Sequence, residues 1–447
     1  MNSLRPTFPV LCALIAVGVF AGCRKGSSQP AATPSAPGTV AEGLVEPASS
    51  KAAADNEAAV AALQEAGFKL TKNGDGSVTE FSVTSDSDIS SSLEHLSGIP
   101  SVQIARFSGP GLTDHGMESL AKLTRLKRLD LTDTAIGDET LKSVGELTNL
   151  EALFLRRTGV TDDGLAALTG LPKLRAIDLR NSNITDDGLD HLAKLTSLVD
   201  IQLEKSKVTD TGVAKLQALP LKSINVNYCT SVSDVSLAVL GKMPTLESIQ
   251  MDSTKITDSG MPAVANIKRL KRLRIRDTDV TGVGFAHVAE LTSLERLELR
   301  GTSLDDAGLA VLATLPKVNY LDISECRLAT PEGIKKINQL TGLKYLGLWE
   351  TKTNDEALSA MTDLTNLEEL NLKAAQVGDE SIDALLKMQK LSKLNVGGTL
   401  FSDEGFRKMG ELPNLKWLNV ANTSIGFDVI DELVESKEGL EVIEFEN

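Results

Sequence analysis

From Leu150 to Leu171 the chain reads LEALFLRRTGVTDDGLAALTGL, and its apolar positions change period partway. Leu153 and Leu155 alternate, as in a strand with one face buried, whereas Leu165, Leu168 and Leu171 recur at helical spacing. The pattern predicts one short strand and one short helix. Between them Thr158–Gly164 is small and polar, suited to a turn, with Thr161 or Asp162 placed to cap the first helical N–H groups. The same pattern returns 24 residues later as LRAIDLRNSNITDDGLDHLAKL, from Leu174 to Leu195. Taking the first apolar residue of each strand segment as a start, fifteen such units run from Val78, through Leu126, Leu150, Leu174 and their successors, to Leu415. Two steps are a residue longer, near Cys229–Val232 and near Thr330–Gly333, in connections where length is tolerated. A terminal strand is predicted at Leu440–Phe445.

A repeat changes what length means. The 447 residues would suggest about three globular domains of roughly 150 residues each. Stacked units touching only their neighbours instead form one long array. The expected organisation is a signal at 1–22, Cys23 and an Ala/Ser/Pro-rich linker at 23–55, a cap at 56–77, the array at 78–439 and a closing strand at 440–447. In the cap, NEAAVAALQEAG is helix-forming, and Asn73-Gly74-Asp75-Gly76 lies between two strand-like runs as a hairpin turn.

The pattern L-x-x-L-x-L-x-x-T-x-I-x-D-x-G-L-x-x-L-x-x-L resembles the leucine-rich repeat family, and its cysteine-containing and bacterial subclass in particular. Where the best-known members carry Asn or Cys at the ninth position, this chain has mostly Thr or Ser, with Cys229 and Cys326 in two units and Ala375 in one. A hydroxyl or thiol there can bond to neighbouring backbone. The resemblance implies an α/β fold: a right-handed solenoid, or horseshoe, with a concave parallel β-sheet and short convex helices. Strand spacing gives a sheet on the order of 70 Å along its arc.

Met1–Gly22 reads as an export signal, with Arg5 before an apolar run from Val10 to Phe20 that is too short for an ordinary membrane span. Phe20-Ala21-Gly22-Cys23 resembles the lipobox of bacterial lipoproteins, with Phe20 where that motif usually has Leu. That resemblance makes Cys23 the lipidated first residue of the mature chain and the source of membrane anchoring; a plain secretory signal is the alternative.

The net charge of −15 argues against general affinity for nucleic acid. Cys229 and Cys326 lie four units apart, about 19 Å by strand spacing, too far for a disulfide, and read as buried free thiols. His95, His191 and His287 are too widely spaced to share a metal. No nucleophile or phosphate-loop motif appears, so the sequence predicts neither an enzyme nor a bound metal or cofactor.

Strand alternation does point to a binding face. Tyr228, Tyr320, Tyr345, Trp349 and Trp417, which are all the tyrosines and tryptophans of the chain, fall on or beside the concave sheet. Tyr320, Tyr345 and Trp349 are predicted to cluster. Beside them Arg272, Arg274, Arg276, Arg296 and Arg300 form a basic patch, and Arg156, Arg157 and Arg180 a smaller one. Two readings stay open: a site receiving a partner's carboxylates, or an internally neutralised ladder in which Asp252, Asp277 and Glu298 pair with these arginines. The sequence thus predicts a non-catalytic, lipid-anchored envelope protein that binds a macromolecule, with a protein partner favoured. An envelope polysaccharide, or a spacer role without ligand, is the alternative.

Overall fold

The computed structural model describes residues 53–445. The signal, Cys23 and almost all of the linker therefore lie outside the described residues.

The described chain forms one sheet of seventeen strands. The first pair, Lys69–Lys72 and Val78–Thr84, is an antiparallel hairpin. Every later strand pairs in parallel with its predecessor in sequence, out to Glu441–Ile443. From Arg128–Asp130 onward each strand is only three residues long, so a single inward side chain sits at its centre. These central residues, such as Leu153, Ile177, Leu273 and Leu297, are fully buried, as are Leu165 and Leu168 from the helical half of the unit. Each such side chain contributes about 1.5–3 kcal/mol by leaving water. The connecting helices are one or two turns, either α or 3₁₀, and each packs on the next. This is the leucine-rich-repeat solenoid anticipated from the spacing.

The first units are closed by the helix Glu57–Glu65, whose N-cap Asn56 accepts a hydrogen bond from the Ala59 amide at 3.1 Å. Leu63 and Phe68 reach the core, where Phe68, Phe81 and Phe107 pack with ring centroids 5.2–6.5 Å apart. Asn73 shapes the hairpin by accepting from the amides of Asp75 and Ser77, both at 3.0 Å. Near the other end, the amphipathic helix Phe427–Ser436 buries Val429, Ile430 and Leu433.

Ninth-position hydroxyls return to the strand carbonyl three residues earlier, as Thr158 does to Leu155 at 2.8 Å and Thr302 to Leu299 at 2.8 Å. The two thiols instead reach the preceding unit: Cys229 Sγ lies 3.3 Å from the Leu203 carbonyl and Cys326 Sγ 3.2 Å from that of Leu299. The residue just before the ninth position is left-handed in unit after unit, including Asp133, Arg157, Tyr228, Asp277, Ala374 and Asn422, with φ between 54° and 62°.

The equivalent Thr or Ser caps its helix in later units, as Thr185 does by accepting from the Asp187 amide at 3.3 Å, but the start at Thr161 departs from expectation. Thr161 stands at the N-cap, yet its hydroxyl makes no cap bond. It donates to Asp138 of the preceding unit at 2.6 Å, and its amide donates to the same carboxylate at 2.8 Å. The arrangement repeats: Asp162 holds Thr185, Asp186 holds Thr209, Asp210 holds Ser233 and Asp234 holds Thr257. The Asp of T-D-x-G-L therefore ties its unit to the next one. Its Gly follows from the same contact, because a Cβ on Gly164 would lie 2.2 Å from Asp138 Oδ1. The second long unit gains its extra residue earlier than expected, at Arg327–Leu328: Thr330 still meets Asp306, at 2.8 and 2.6 Å, and Leu328 is pushed into solvent.

Candidate functional site: the sheet face

Alternation along each short strand leaves three columns of outward residues. In the first, pairing aligns Arg272, Arg296, Tyr320, Tyr345, Glu369, Lys393 and Trp417. The second aligns Arg274, Glu298, Asp322, Gly347, Asn371 and Asn395. The third, two residues further along each unit, holds Arg276, Arg300, Ser324, Trp349 and Lys373.

The arginines prove to be organised around two carboxylates. Asp252, whose side chain is 0 % exposed, receives Arg274 Nε at 2.6 Å and Arg276 Nη2 at 2.7 Å, and also accepts the Arg276 amide at 2.9 Å. Glu298, 7 % exposed, receives Arg272 at 2.7 Å and Arg296 at 2.5 Å, with Arg274 at 3.6 Å. Burial pushes the Glu298 carboxyl up, but Arg272, Arg296 and Arg274 outweigh it and hold it below the usual carboxylate range. Arg300 pairs with Glu325 at 2.7 Å, a partner that sequence reasoning missed. Asp277, expected as a partner, forms no ion pair among the described residues; it lies over Gly301, where a Cβ would come within 2.4 Å of its carboxylate. The internally paired ladder is therefore present. Four guanidinium groups thus share two buried carboxylates.

Of the expected aromatic cluster the two tyrosines come together next to these arginines, whereas Trp349 lies apart in the third column. Tyr320 and Tyr345 stack at 4.0 Å with their planes 4° apart, and the Arg296 guanidinium lies 3.4 Å above the Tyr320 ring. Trp349 sits between Arg300 at 4.6 Å and Lys373 at 5.4 Å, and its buried indole N–H has no acceptor. Lys373 was missed, although the 24-residue register places it beside Trp349 in the third column. Burial raises the Tyr320 and Tyr345 hydroxyls above the ordinary phenol value.

Not every predicted residue joins this cluster. Trp417 shares the first column but lies three strands beyond Tyr345, behind Glu369 and Lys393. Tyr228 occupies a left-handed turn beside the sheet, with Lys205 5.2 Å from its ring. In the smaller patch Arg156 and Arg157 share Asp133, and Arg180 pairs with Asp178 at 2.6 Å. Cys229 and Cys326 are free and buried, and burial pushes the Cys326 thiol up to about 11. Among the described residues no three His, Cys, Asp or Glu side chains gather as a metal site, and no helix is long and apolar enough to cross a membrane.

Over residues 82–330 the sequence matches the family model described as a leucine-rich repeat region. Among curated proteins none matches. Two similar solved structures are bacterial. A leucine-rich-repeat protein of Leptospira interrogans is 16% identical, with 81% of this chain and 89% of that one covered and a TM-score of 0.51. An internalin of Listeria monocytogenes is 20% identical, with 88% and 96% covered and a TM-score of 0.44. The first of these likenesses supports the fold alone. Because the family match takes in more than half of the chain and the strand-and-helix unit repeats throughout the sheet, the protein belongs to the leucine-rich repeat family.

Proposed function

We propose that this protein acts by binding, as a lipid-anchored envelope protein that recognises a protein partner through the sheet face at Arg272, Arg274, Arg276, Arg296, Arg300, Tyr320, Tyr345 and Trp349, with Trp417 at the margin. One observation carries the reading. Two stacks of cations and rings cross adjacent strands: Arg296 over Tyr320 and Tyr345 in the first column, and Arg300, Trp349 and Lys373 in the third, where the buried indole N–H is left without an acceptor among the described residues. Aromatic and arginine side chains held rigid by one another lose little entropy when a partner covers them, which is the composition of interface hot spots. A polysaccharide needs open ring faces to stack on. Here Tyr320 is covered by Arg296 and Tyr345, and Trp349 is flanked by Arg300 and Lys373, so a protein is favoured.

The test is a crosslinking pull-down from the native membrane fraction, comparing wild type with Tyr345→Ala/Trp349→Ala. Arg274 is a poor handle, because Arg274→Glu would set a third carboxylate beside Asp252 and Glu298. A protein captured by wild type and lost at least tenfold in the variant is the expected result. Equal capture by both would remove this surface from the reading, and capture of glycan in place of protein would establish the polysaccharide alternative. Membrane attachment is tested by Cys23→Ser, which is expected to release the protein into the soluble fraction.

A further inference from the structure

The arginines of the sheet face obey one rule with one exception. Arg106 pairs with Glu80, Arg156 with Asp133, Arg180 with Asp178, and the five from Arg272 to Arg300 with Asp252, Glu298 and Glu325. Arg128 has no carboxylate partner among the described residues. It occupies the first column six strands before Arg272, about 29 Å away by strand spacing. Its guanidinium lies 4.1 Å from the centroid of the Phe154 ring on the next strand, and its Nε–H is shut away from solvent without an acceptor. Asp130, two residues along the same strand, is turned to its own loop and accepts the Thr132 amide at 3.0 Å. Neighbours in the column are Ile104 on one side and Ala152 and Ala176 on the other, all half-buried.

We propose that Arg128, laid on Phe154, is a second binding point on this face that takes a carboxylate of an acidic peptide segment. A cation–π contact occupies the face of the guanidinium, and with the Nε–H closed off the two in-plane Nη groups are the edge a carboxylate would engage in a two-point bond. The small Ala152 and Ala176 leave space beside it, and a partly desolvated charge without a counter-ion favours an incoming anion. A polypeptide fits better than an acidic polysaccharide, since the ring a sugar would stack on is covered by Arg128 itself. The site is independent of the Arg296–Trp349 surface and stands whether or not that surface binds a partner.

The full chain, in detergent and low salt to limit screening, is titrated against a fluorescein-labelled hexaglutamate peptide and followed by anisotropy. Wild type is expected to bind. Arg128→Gln is expected to weaken binding at least tenfold, Arg128→Lys less, and Tyr345→Ala/Trp349→Ala not at all. Arg128→Gln should also melt no lower than wild type, because it removes an unpaired cation. Equal affinity of Arg128→Gln and wild type, absence of binding at millimolar peptide, or a lowered melting temperature in both Arg128 variants would each overturn the assignment. Selective binding of polygalacturonate in place of hexaglutamate would overturn the choice of a peptide.

Discussion

The two sides of each unit are built on opposite principles. At the helix starts one device recurs almost without change: an Asp of one unit takes the amide and hydroxyl of the Thr or Ser at the start of the next, at 2.5–2.9 Å from Asp138 to Asp258. On the sheet face no such repetition holds. One column changes from Asp200 and Ser223 to Arg272, Arg296, Tyr320 and Tyr345 within a few strands. Repetition serves stacking, which every unit needs equally. Aperiodicity leaves each position of the face free to carry its own chemistry. The difference is not absolute, since Asp252 and Glu298 are both aperiodic and deeply buried.

The strongest way to blur the comparison is Asp252→Ala. The substitution strands Arg274 and Arg276 over a site that is otherwise closed to water, and breaking one side of a buried pair costs about 3–5 kcal/mol. Because stability in stacked repeats is distributed, the loss should be local. Hydrogen exchange is expected to accelerate on the strands Ser248–Gln250 and Arg272–Arg274 well before it does in the first units; uniform acceleration along the array would show that the damage spreads. Trp349→Ala offers the contrast, with binding lost and exchange nearly unchanged.

On the periodic side, Asp210→Ala removes four hydrogen bonds, to the amides of Ser233 and Ser236 at 2.8 and 3.1 Å and to both hydroxyls at 2.5 Å. A loss of about 2 kcal/mol is expected for this partly exposed set, measured as the same local exchange free energy. A loss below a few tenths would mean that solvent replaces the ladder. The dependence on pH sharpens the point. Burial pushes the Asp210 carboxyl up, but the bonds from Ser233 and Ser236 outweigh it, so the group titrates below its ordinary value. Its contribution is therefore fully present above the unfolded pKa of about 3.9 and is lost as pH falls through the lower folded value. The gap between wild type and Asp210→Ala should stay constant above about pH 5 and close in stronger acid. A gap that persisted there would remove the carboxylate charge from the account.

The two sides also differ in how far they could be read from sequence. Strand and helix positions were legible because Leu and Ile recur with two periods in every unit, and register fixed the columns, so Tyr320 and Tyr345 were rightly placed together, whereas Trp349, grouped with them, stacks with Arg300 and Lys373 in the third column. Partner choice was not legible. Asp252, Asp277 and Glu298 look equivalent in a linear reading, yet Asp277 sits in a left-handed turn over Gly301 while the other two point under the arginines. The role of the helix-start Asp was missed for a related reason: Asp162 was weighed as a cap for its own helix, whereas its partner, Thr185, belongs to the next unit. Contacts between units are visible only once the stacking distance is known.

The smallest expected effect lies where the two sides meet, at the left-handed residue that ends each strand segment. Most units place a side chain there, but Gly301 and Gly398 show that the turn accepts glycine, with φ of 70° and 66°. Asp and Asn tolerate this conformation through local hydrogen bonding, whereas Ala374, at φ 54°, gains nothing to offset the clash of its Cβ with the following carbonyl. Ala374→Gly relieves about 1–2 kcal/mol of that strain and gives back about 0.5–1 through the greater freedom of the unfolded chain. A net gain of about 0.5–1 kcal/mol in local exchange stability near Leu372–Ala375 is expected. Gly398→Ala is the mirror experiment, because its added Cβ would find its nearest atoms at 3.8 Å, so conformation and not crowding is measured. If Ala374→Gly loses stability while Gly398→Ala leaves it unchanged, the left-handed column carries no strain, and its variability between units reflects surface chemistry alone.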